Sequence, residues 1–159
     1  MKGDAKVIEY LNQALTNELT ATNQYWLHFR LLDHWGLKHL AAHERKEAIE
    51  EMQHADTLTE RILLLDGHPN FQRIGSVRVG ETVEEVIKAD LALESEAIPL
   101  LRDAIEHCEK VRDYVSRELF NAILKDEEDH VDHLETQQDM IAQMGLQNYI
   151  QLQSSPAAE

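Results

Sequence analysis

Two sets of metal-ligating residue types recur along the chain at one spacing. Each set is a glutamate followed 33 residues later by a Glu-x-x-His pair, and the second set lies 76 residues after the first. Carboxylates and imidazoles together suit iron or manganese better than soft metals, and iron adds one-electron chemistry with oxygen. The pattern predicts one site that binds two metal ions. The six residues are Glu18, Glu51, His54, Glu94, Glu127 and His130.

Helical spacing explains how residues this far apart in the sequence could share a site. A glutamate and a histidine three residues apart lie on the same face of a helix, so one metal ion can bind both. Two such pairs, with one glutamate from each of two other helices, would supply two ions held close by a bridging carboxylate. The alternative is solvated helix charges and two histidines that hydrogen-bond within the core. The other histidines, such as His28, show no paired pattern and are expected at the surface or at subunit interfaces.

Four amphipathic helices must position these residues. Apolar side chains recur in alternating steps of three and four, which is typical of bundle helices. All six candidates fall in these inward rows, where carboxylates without cations would repel one another and carry a large desolvation cost. The predicted helices run from Asp4 to Gly36, over 37–66, from the capping box of Thr82 and Glu85 past Cys108, and from about Asp113 to Gly145.

The segments between the helices predict the topology. Residues 67–81 are rich in turn residues and long enough to cross the whole length of a bundle. A short apolar helix over about 146–152 follows the fourth long helix. The prediction is an all-α, antiparallel four-helix bundle with a long cross-bundle connection and a short fifth C-terminal helix. It forms a single domain, 1–152, followed by a disordered tail, 153–159.

Composition narrows the function classes. The formal net charge of −15 disfavours nucleic-acid binding and is compatible with attracting cations or with plain solubility. Cys108 is the single cysteine, which fits a reducing compartment. The N-terminus lacks the apolar stretch of a signal peptide, and no apolar run approaches the roughly 18 residues that a membrane helix needs. We therefore expect a cytoplasmic protein that binds neither nucleic acid nor membranes.

On these residues the chain resembles the bacterioferritins, haem-containing members of the ferritin-like superfamily. The resemblance covers nearly the whole length and rests on the two ligand sets, the cross-bundle connection and the short last helix. It includes Met52, directly after Glu51. In that family the corresponding methionine ligates haem iron at a two-fold interface, one from each subunit, so the resemblance implies haem b. From the helix alone, Met52 lies about 100° around from Glu51 and would otherwise pack against a partner subunit.

The resemblance also implies a function. Bacterioferritins form hollow shells of twenty-four subunits, oxidise Fe(II) at a di-iron centre with dioxygen or peroxide, and store Fe(III) mineral inside. A small ferredoxin is the expected electron donor when iron is released. Two alternatives stay open: another ferritin-like di-metal oxidase or peroxidase, and a non-enzymatic shell protein that binds haem or metal. The implied ligand roles are terminal for Glu18 and Glu94, bridging for Glu51 and Glu127, and one imidazole per iron from His54 and His130.

Three further residues are candidates for a supporting role. Some family members place aromatic residues near the centre as electron donors; Tyr25 is present here, whereas Leu58 and His133 occupy the other positions. Tyr25 could equally be a core aromatic residue with a satisfied hydroxyl. Glu47 and Asp90 lie one turn from predicted ligands and are expected to orient the ligating imidazoles, with an ordinary buried hydrogen bond as the alternative.

Overall fold

The computed structural model describes residues 1–154. This part of the chain forms five helices and contains no strand. The predicted all-α, ferritin-like four-helix bundle with a short last helix is confirmed. None of the helices in this part of the chain combines the length and apolar character needed to cross a lipid bilayer. The helices are α1 (Ala5–His34), α2 (Lys38–Leu64), α3 (Val83–Val111), α4 (Tyr114–Met144) and α5 (Leu146–Gln153).

Side-chain caps begin three of the long helices at the predicted residues. The carboxylate of Asp4 accepts two backbone amides of the first turn of α1. Thr82 accepts from the Glu85 amide at 3.2 Å, and Asp113 caps α4 in the same way. The capping box at α3 differs in one detail. The Glu85 carboxylate accepts from the amide of Glu81, one residue before the cap, at 2.8 Å.

Two helix ends differ from the predicted boundaries. α2 ends at Leu64 and not at 66, because Asp66 adopts a left-handed backbone with φ 59°, which interrupts the helix. α5 continues one residue beyond 152 to Gln153, which is buried. The remainder of the predicted disordered tail, 155–159, lies outside the described residues.

Apolar clusters lie on both sides of the six predicted ligands. On each long helix the ligand positions fall between residues of one cluster and residues of the other. Water is therefore excluded above and below the carboxylates, which raises the cost of leaving them charged and unpaired. One cluster includes Leu15, Leu58, Leu101 and Phe120, and the other includes Leu32, Leu40, Ile87 and Leu134.

A ladder of hydrogen bonds fastens the connection 65–82 along α1. Backbone amides of the connection donate in turn to side chains of α1 that lie one or two turns apart, so the connection runs alongside the helix and crosses the length of the bundle. The rungs are Asn70 to Asn12 at 2.8 Å, Gly75 to Thr20 at 2.9 Å, Arg78 to Gln24 at 3.0 Å and Gly80 to His28 at 3.0 Å.

Substitution of Gly80 tests how tightly the connection is held. A Cβ added at Gly80 would lie 2.3 Å from the backbone nitrogen of Val86, so Gly80→Ala must push the connection away from the start of α3. We expect the free energy of unfolding, measured by chemical denaturation, to fall by about 1–3 kcal/mol. Gly75→Ala is the control, because its Cβ would meet only the Thr20 side chain, at 3.2 Å. Equal stability of the two variants would contradict this packing.

Candidate metal centre

Each of the four long helices contributes to one buried cluster. The six predicted ligands are between 0% and 8% exposed. They form two groups, and within each group every member offers a ligand atom within 4.8 Å of the others. One group is Glu18, Glu51, His54 and Glu127, and the other is Glu51, Glu94, Glu127 and His130.

Glu51 and Glu127 belong to both groups. This sharing follows from the repeated spacing, because α1 and α3 each supply a lone glutamate while α2 and α4 each supply a Glu-x-x-His pair. Two metal ions, one in each group, would therefore have two carboxylates in common. The arrangement is the one that bridging requires, and ligation itself remains a prediction.

Both imidazoles turn Nδ1 towards the carboxylates of the cluster. His54 Nδ1 lies 3.4 Å from Glu51 Oε2 and 3.5 Å from Glu18 Oε2. His130 Nδ1 lies 3.1 Å from Glu51 Oε1 and 3.5 Å from Glu94 Oε1. One ring nitrogen of each histidine is thus placed where it could bind a metal ion together with the carboxylates.

The other ring nitrogen of each histidine contacts an outer carboxylate. His54 Nε2 lies 3.0 Å from Asp126 Oδ2, and His130 Nε2 lies 2.5 Å from Glu47 Oε2. Such a partner fixes the tautomer and makes the opposite nitrogen a better ligand. Glu47 is therefore positioned for the role predicted for it, whereas the sequence reasoning missed Asp126.

The repeated spacing contained a signal for Asp126. It immediately precedes Glu127, and Glu50 immediately precedes Glu51, so the two acids are related by the same offset (126 − 50 = 76). The symmetry is incomplete, because Glu50 Oε1 is 3.8 Å from His130 Nε2 and Glu47 is the nearer partner.

Asp90 lies apart from the ligating imidazoles. Its Oδ1 is 2.8 Å from His28 Nδ1 and also accepts from Gln24 Nε2 at 2.8 Å. The expected surface position of His28 is wrong, since this side chain is fully buried. Burial is tolerated because both ring nitrogens have hydrogen-bond partners, Asp90 and the Gly80 amide.

Tyr25 reaches the cluster through its hydroxyl. The side chain is buried, and its O–H donates to Glu94 Oε1. Burial, followed by the charge of Glu94, raises the pKa of Tyr25 well above its ordinary value. Tyr25 is therefore a neutral hydrogen-bond donor to a predicted ligand. It has the buried ring and paired hydroxyl expected of a core aromatic residue, and the ring lies beside the centre.

Without metal, protons compensate part of the charge at the centre. Burial, followed by the neighbouring carboxylates, raises the pKa of both Glu18 and Glu127 well above the ordinary value. Burial also acts to raise the pKa of Glu51, but a hydrogen bond from Glu18 and the charge of the neighbouring His130 outweigh it and hold that pKa well below the ordinary range. Burial acts to lower the pKa of His54, but the hydrogen bond and charge of Glu51 raise it to about 9.

Several buried atoms at the centre have no hydrogen-bond partner among the described residues. They are Glu51 Oε1, Glu127 Oε2 and His130 Nδ1; the first and the last lie 3.1 Å apart but are not aligned for a hydrogen bond with each other. Buried polar atoms of native proteins are nearly always paired, so these atoms fit ligands that a cation completes. Glu51 and Glu127 also line a cavity of about 10 Å³, together with Asn17 and the other two carboxylates of the cluster. Asn17 also lines a polar surface groove of about 840 Å³, which places the groove next to the centre.

Met52 lies outside this cluster, on the surface of α2. Its side chain is 43% exposed and lines an open groove of about 550 Å³. The groove is mostly apolar, which fits a flat apolar ring system or a second protein surface. Its other lining residues are Thr22, Trp26, Ala48, Ile49, Gln53 and Asp56.

The helical bundle and its cluster are those of a ferritin-like protein, and residues 8–144 match the family model described as a ferritin-like domain. A bacterioferritin from Brucella melitensis biotype 1 is 52% identical over 159 residues, covering 100% of this chain and 99% of that protein. One from Rhodobacter capsulatus is 50% identical, covering 98% and 97%, and one from Streptomyces coelicolor is 53% identical, covering 94% and 90%. The chain therefore belongs to the bacterioferritin family, which supports a role in iron storage.

The protons at the centre predict how pH affects the metal-free protein. The pKa of His54 is about 9 in the folded state against 6.5 ordinarily, so its stabilising contribution is complete below pH 6.5 and is lost as the pH rises to 9. That loss is about 3 kcal/mol. The raised pKa values of Glu18 and Glu127 act in the same direction, down to the ordinary value of 4.5. Thermal unfolding of metal-free protein should therefore show falling stability from pH 6.5 to 9, and zinc-loaded protein should lose this dependence. Metal-free stability that rises over this range would contradict the assignment.

Proposed function

We propose that this protein is an iron-storage ferroxidase, which oxidises Fe(II) to Fe(III) at the candidate metal centre and stores ferric mineral in a hollow shell. The observation that carries the proposal is the overlap of the two ligand groups. Glu51 and Glu127 belong to both, so two ions bound there would lie close enough to act on one oxidant. Oxygen and imidazole donors in this combination suit iron.

Each residue has a distinct task in this proposal. Asp126 and Glu47 hold the imidazoles with Nδ1 towards the ions. Tyr25 fixes the orientation of one terminal carboxylate through its hydroxyl. The ligands themselves are Glu18 and His54 for one ion, Glu94 and His130 for the other, and Glu51 and Glu127 as bridges between them.

The substrates are two ferrous ions and one oxidant. Each ion gives one electron, so a pair reduces dioxygen with two protons to hydrogen peroxide, or reduces peroxide with two protons to two water molecules. Binding of Fe(II) displaces the protons held by Glu18 and Glu127, and hydrolysis of Fe(III) releases more as the oxide forms.

The stored mineral requires an enclosed space. We propose that a shell of twenty-four subunits encloses it, and membership of the bacterioferritin family supports an oligomeric shell. The chain has 30 acidic and 15 basic residues, so each subunit adds negative charge to the shell and attracts ferrous ions. The polar groove next to Asn17 is a route by which ions could approach the centre.

Haem b would occupy the groove beside Met52 where two subunits meet, and one Met52 from each subunit would hold it. The exposed thioether and the apolar lining fit this group. Haem supplies one-electron transfer when bound. Trp26 and Ile49 would cover its ring surface, and a small ferredoxin would deliver the electrons that release stored iron.

Removal of a terminal carboxylate tests the centre. Glu18→Ala and Glu94→Ala should each slow rapid Fe(II) oxidation by at least about 10- to 100-fold. That is the usual effect of losing an outer partner of a ligand, and the loss of the ligand itself should cost no less. Helix content should be retained, since each change removes little apolar core. Stopped-flow absorbance after Fe(II) addition measures the rate, and Glu60→Ala, at an exposed position of α2, is the control. Wild-type rates in both variants would refute the centre.

Substitution of the exposed methionine separates haem binding from iron oxidation. Met52→Leu nearly conserves volume, so the shell should assemble normally. Haem should be lost because leucine offers no ligand atom, while the first phase of Fe(II) oxidation should be preserved because Met52 lies outside the cluster. A low-spin haem spectrum that persists in the variant would contradict ligation by Met52.

One sample can test storage and oxidation together. Metal-free protein is titrated anaerobically with Fe(II), exposed to oxygen, and sized under native conditions. We expect two tightly bound ferrous ions per subunit, oxygen consumption on exposure, and the mass of a twenty-four-subunit shell. A small species that consumes oxygen would indicate a different di-metal oxidase, and a shell without oxygen consumption would indicate a passive binder.

A further inference from the structure

A second cluster of buried ionisable side chains lies beside the candidate metal centre. His28 of α1, Glu44 of α2 and Asp90 of α3 are each at most 1% exposed, and their polar atoms lie within 4.8 Å of one another. Within residues 1–154, neither Glu44 nor Asp90 is hydrogen-bonded to any of the six predicted ligands. The cluster therefore requires its own chemical explanation.

The hydrogen bonds of His28 decide its tautomer. Its Nε2 accepts a hydrogen bond from the backbone N–H of Gly80 at 3.0 Å. Because an amide N–H can only donate, Nε2 must be unprotonated. The ring proton is then on Nδ1 and is donated to Asp90 Oδ1 at 2.8 Å. His28 is therefore neutral, and no lone pair remains free for a metal ion.

Asp90 already has two hydrogen-bond donors. Its Oδ1 accepts from Gln24 Nε2 at 2.8 Å as well as from His28. Gln24 in turn accepts the backbone amide of Arg78 at 3.0 Å. Both donors to Asp90 are therefore also rungs of the ladder that holds the connection.

Glu44 and Asp90 are neighbouring carboxyl groups that each have an oxygen atom without a donor. The two side chains each offer an oxygen within 4.8 Å of the other, and Glu44 Oε2 and Asp90 Oδ2 are both buried without a partner among the described residues. Two adjacent buried anions would be strongly destabilising, whereas one proton between them would satisfy both atoms at once. Since Asp90 already acts as the acceptor of two hydrogen bonds, the proton belongs on Glu44.

We propose that Glu44 and Asp90 share one proton, carried on Glu44 and donated to Asp90, and that this pair clamps α2 and α3 to the cross-bundle connection. The pair leaves a single negative charge beside Tyr25. It also fixes the stretch of α1 that carries Gln24, Tyr25 and His28. Glu44 and Asp90 are positioning residues in this arrangement. A proton compensates their negative charge, whereas metal ions would compensate the charge of the adjoining centre.

The surroundings of Glu44 set the sign of its effect on stability. Burial, followed by the charge of Asp90, raises the pKa of Glu44 well above 4.5. Above pH 4.5 the unfolded chain releases the proton of Glu44, whereas the folded protein keeps it. The free energy of unfolding therefore falls as the pH rises above 4.5. The groups facing Glu44 are Tyr25 and His28 on α1, Glu47 on α2, Asp90 and Glu94 on α3, and Tyr149 on α5.

A neutral analogue tests the shared proton. Glu44→Gln can donate to Asp90 through its amide N–H but needs no proton to do so. The midpoint of thermal unfolding of the metal-free variant, relative to wild type, should therefore rise between about pH 5 and about pH 8. Glu60→Gln, at an exposed position of the same helix, should show a constant difference. A difference that stays constant or falls for Glu44→Gln would overturn the proposal, whatever the baseline stability of the variant.

Infrared spectroscopy detects the proton without relying on a variant's fold. Zinc loading displaces protons from the carboxylates of the centre, so the carbonyl band of a protonated carboxylic acid that persists afterwards should belong to Glu44. Glu44→Gln should remove this band and Glu60→Gln should keep it. Its absence from zinc-loaded wild type, or a third zinc ion per subunit that Glu44→Gln loses, would overturn the proposal. Neither measurement involves Fe(II) oxidation, so the clamp and the ferroxidase can fail independently.

Discussion

Four carboxylates from four helices meet between two apolar clusters, and the cost of burying them governs the rest of the molecule. Water cannot solvate them there, so each must bind a proton, an imidazolium or a metal ion. In the metal-free protein, protons on Glu18 and Glu127 and a cationic His130 serve this purpose. Metal ions would compete for the same oxygen and nitrogen atoms, which couples iron binding to both proton release and stability.

The two halves of the bundle repeat the ligands but not their supports. His54 contacts Asp126, which directly precedes Glu127 on α4. His130 contacts Glu47, which lies one helical turn before Glu51 on α2, so the two supporting acids do not occupy equivalent positions. Tyr25 donates to Glu94 on one side of the centre. The two ion positions therefore share Glu51 and Glu127 while differing in the groups that orient and polarise their imidazoles.

The connection along α1 links the fold to the centre. One face of α1 carries Glu18 and Tyr25 into the core, and another presents the acceptors that hold the connection. His28 and Gln24 belong to this second set and also bind Asp90. The same few buried hydrogen bonds thus order both the connection and the side chains next to the centre. These hydrogen bonds are strong because water is excluded from them.

Local patterns in the sequence were enough to predict the helices, the cross-bundle connection and the six candidate ligands. Helical period, capping residues and the i,i+3 spacing are local properties, and the repeated offset related the two halves. Two contacts became apparent only in the folded structure: Asp126 supports His54, and Asp90 pairs with a buried His28. Those contacts join residues 72 and 62 positions apart, and they depend on side-chain rotamers and helix packing, which local periodicity does not specify.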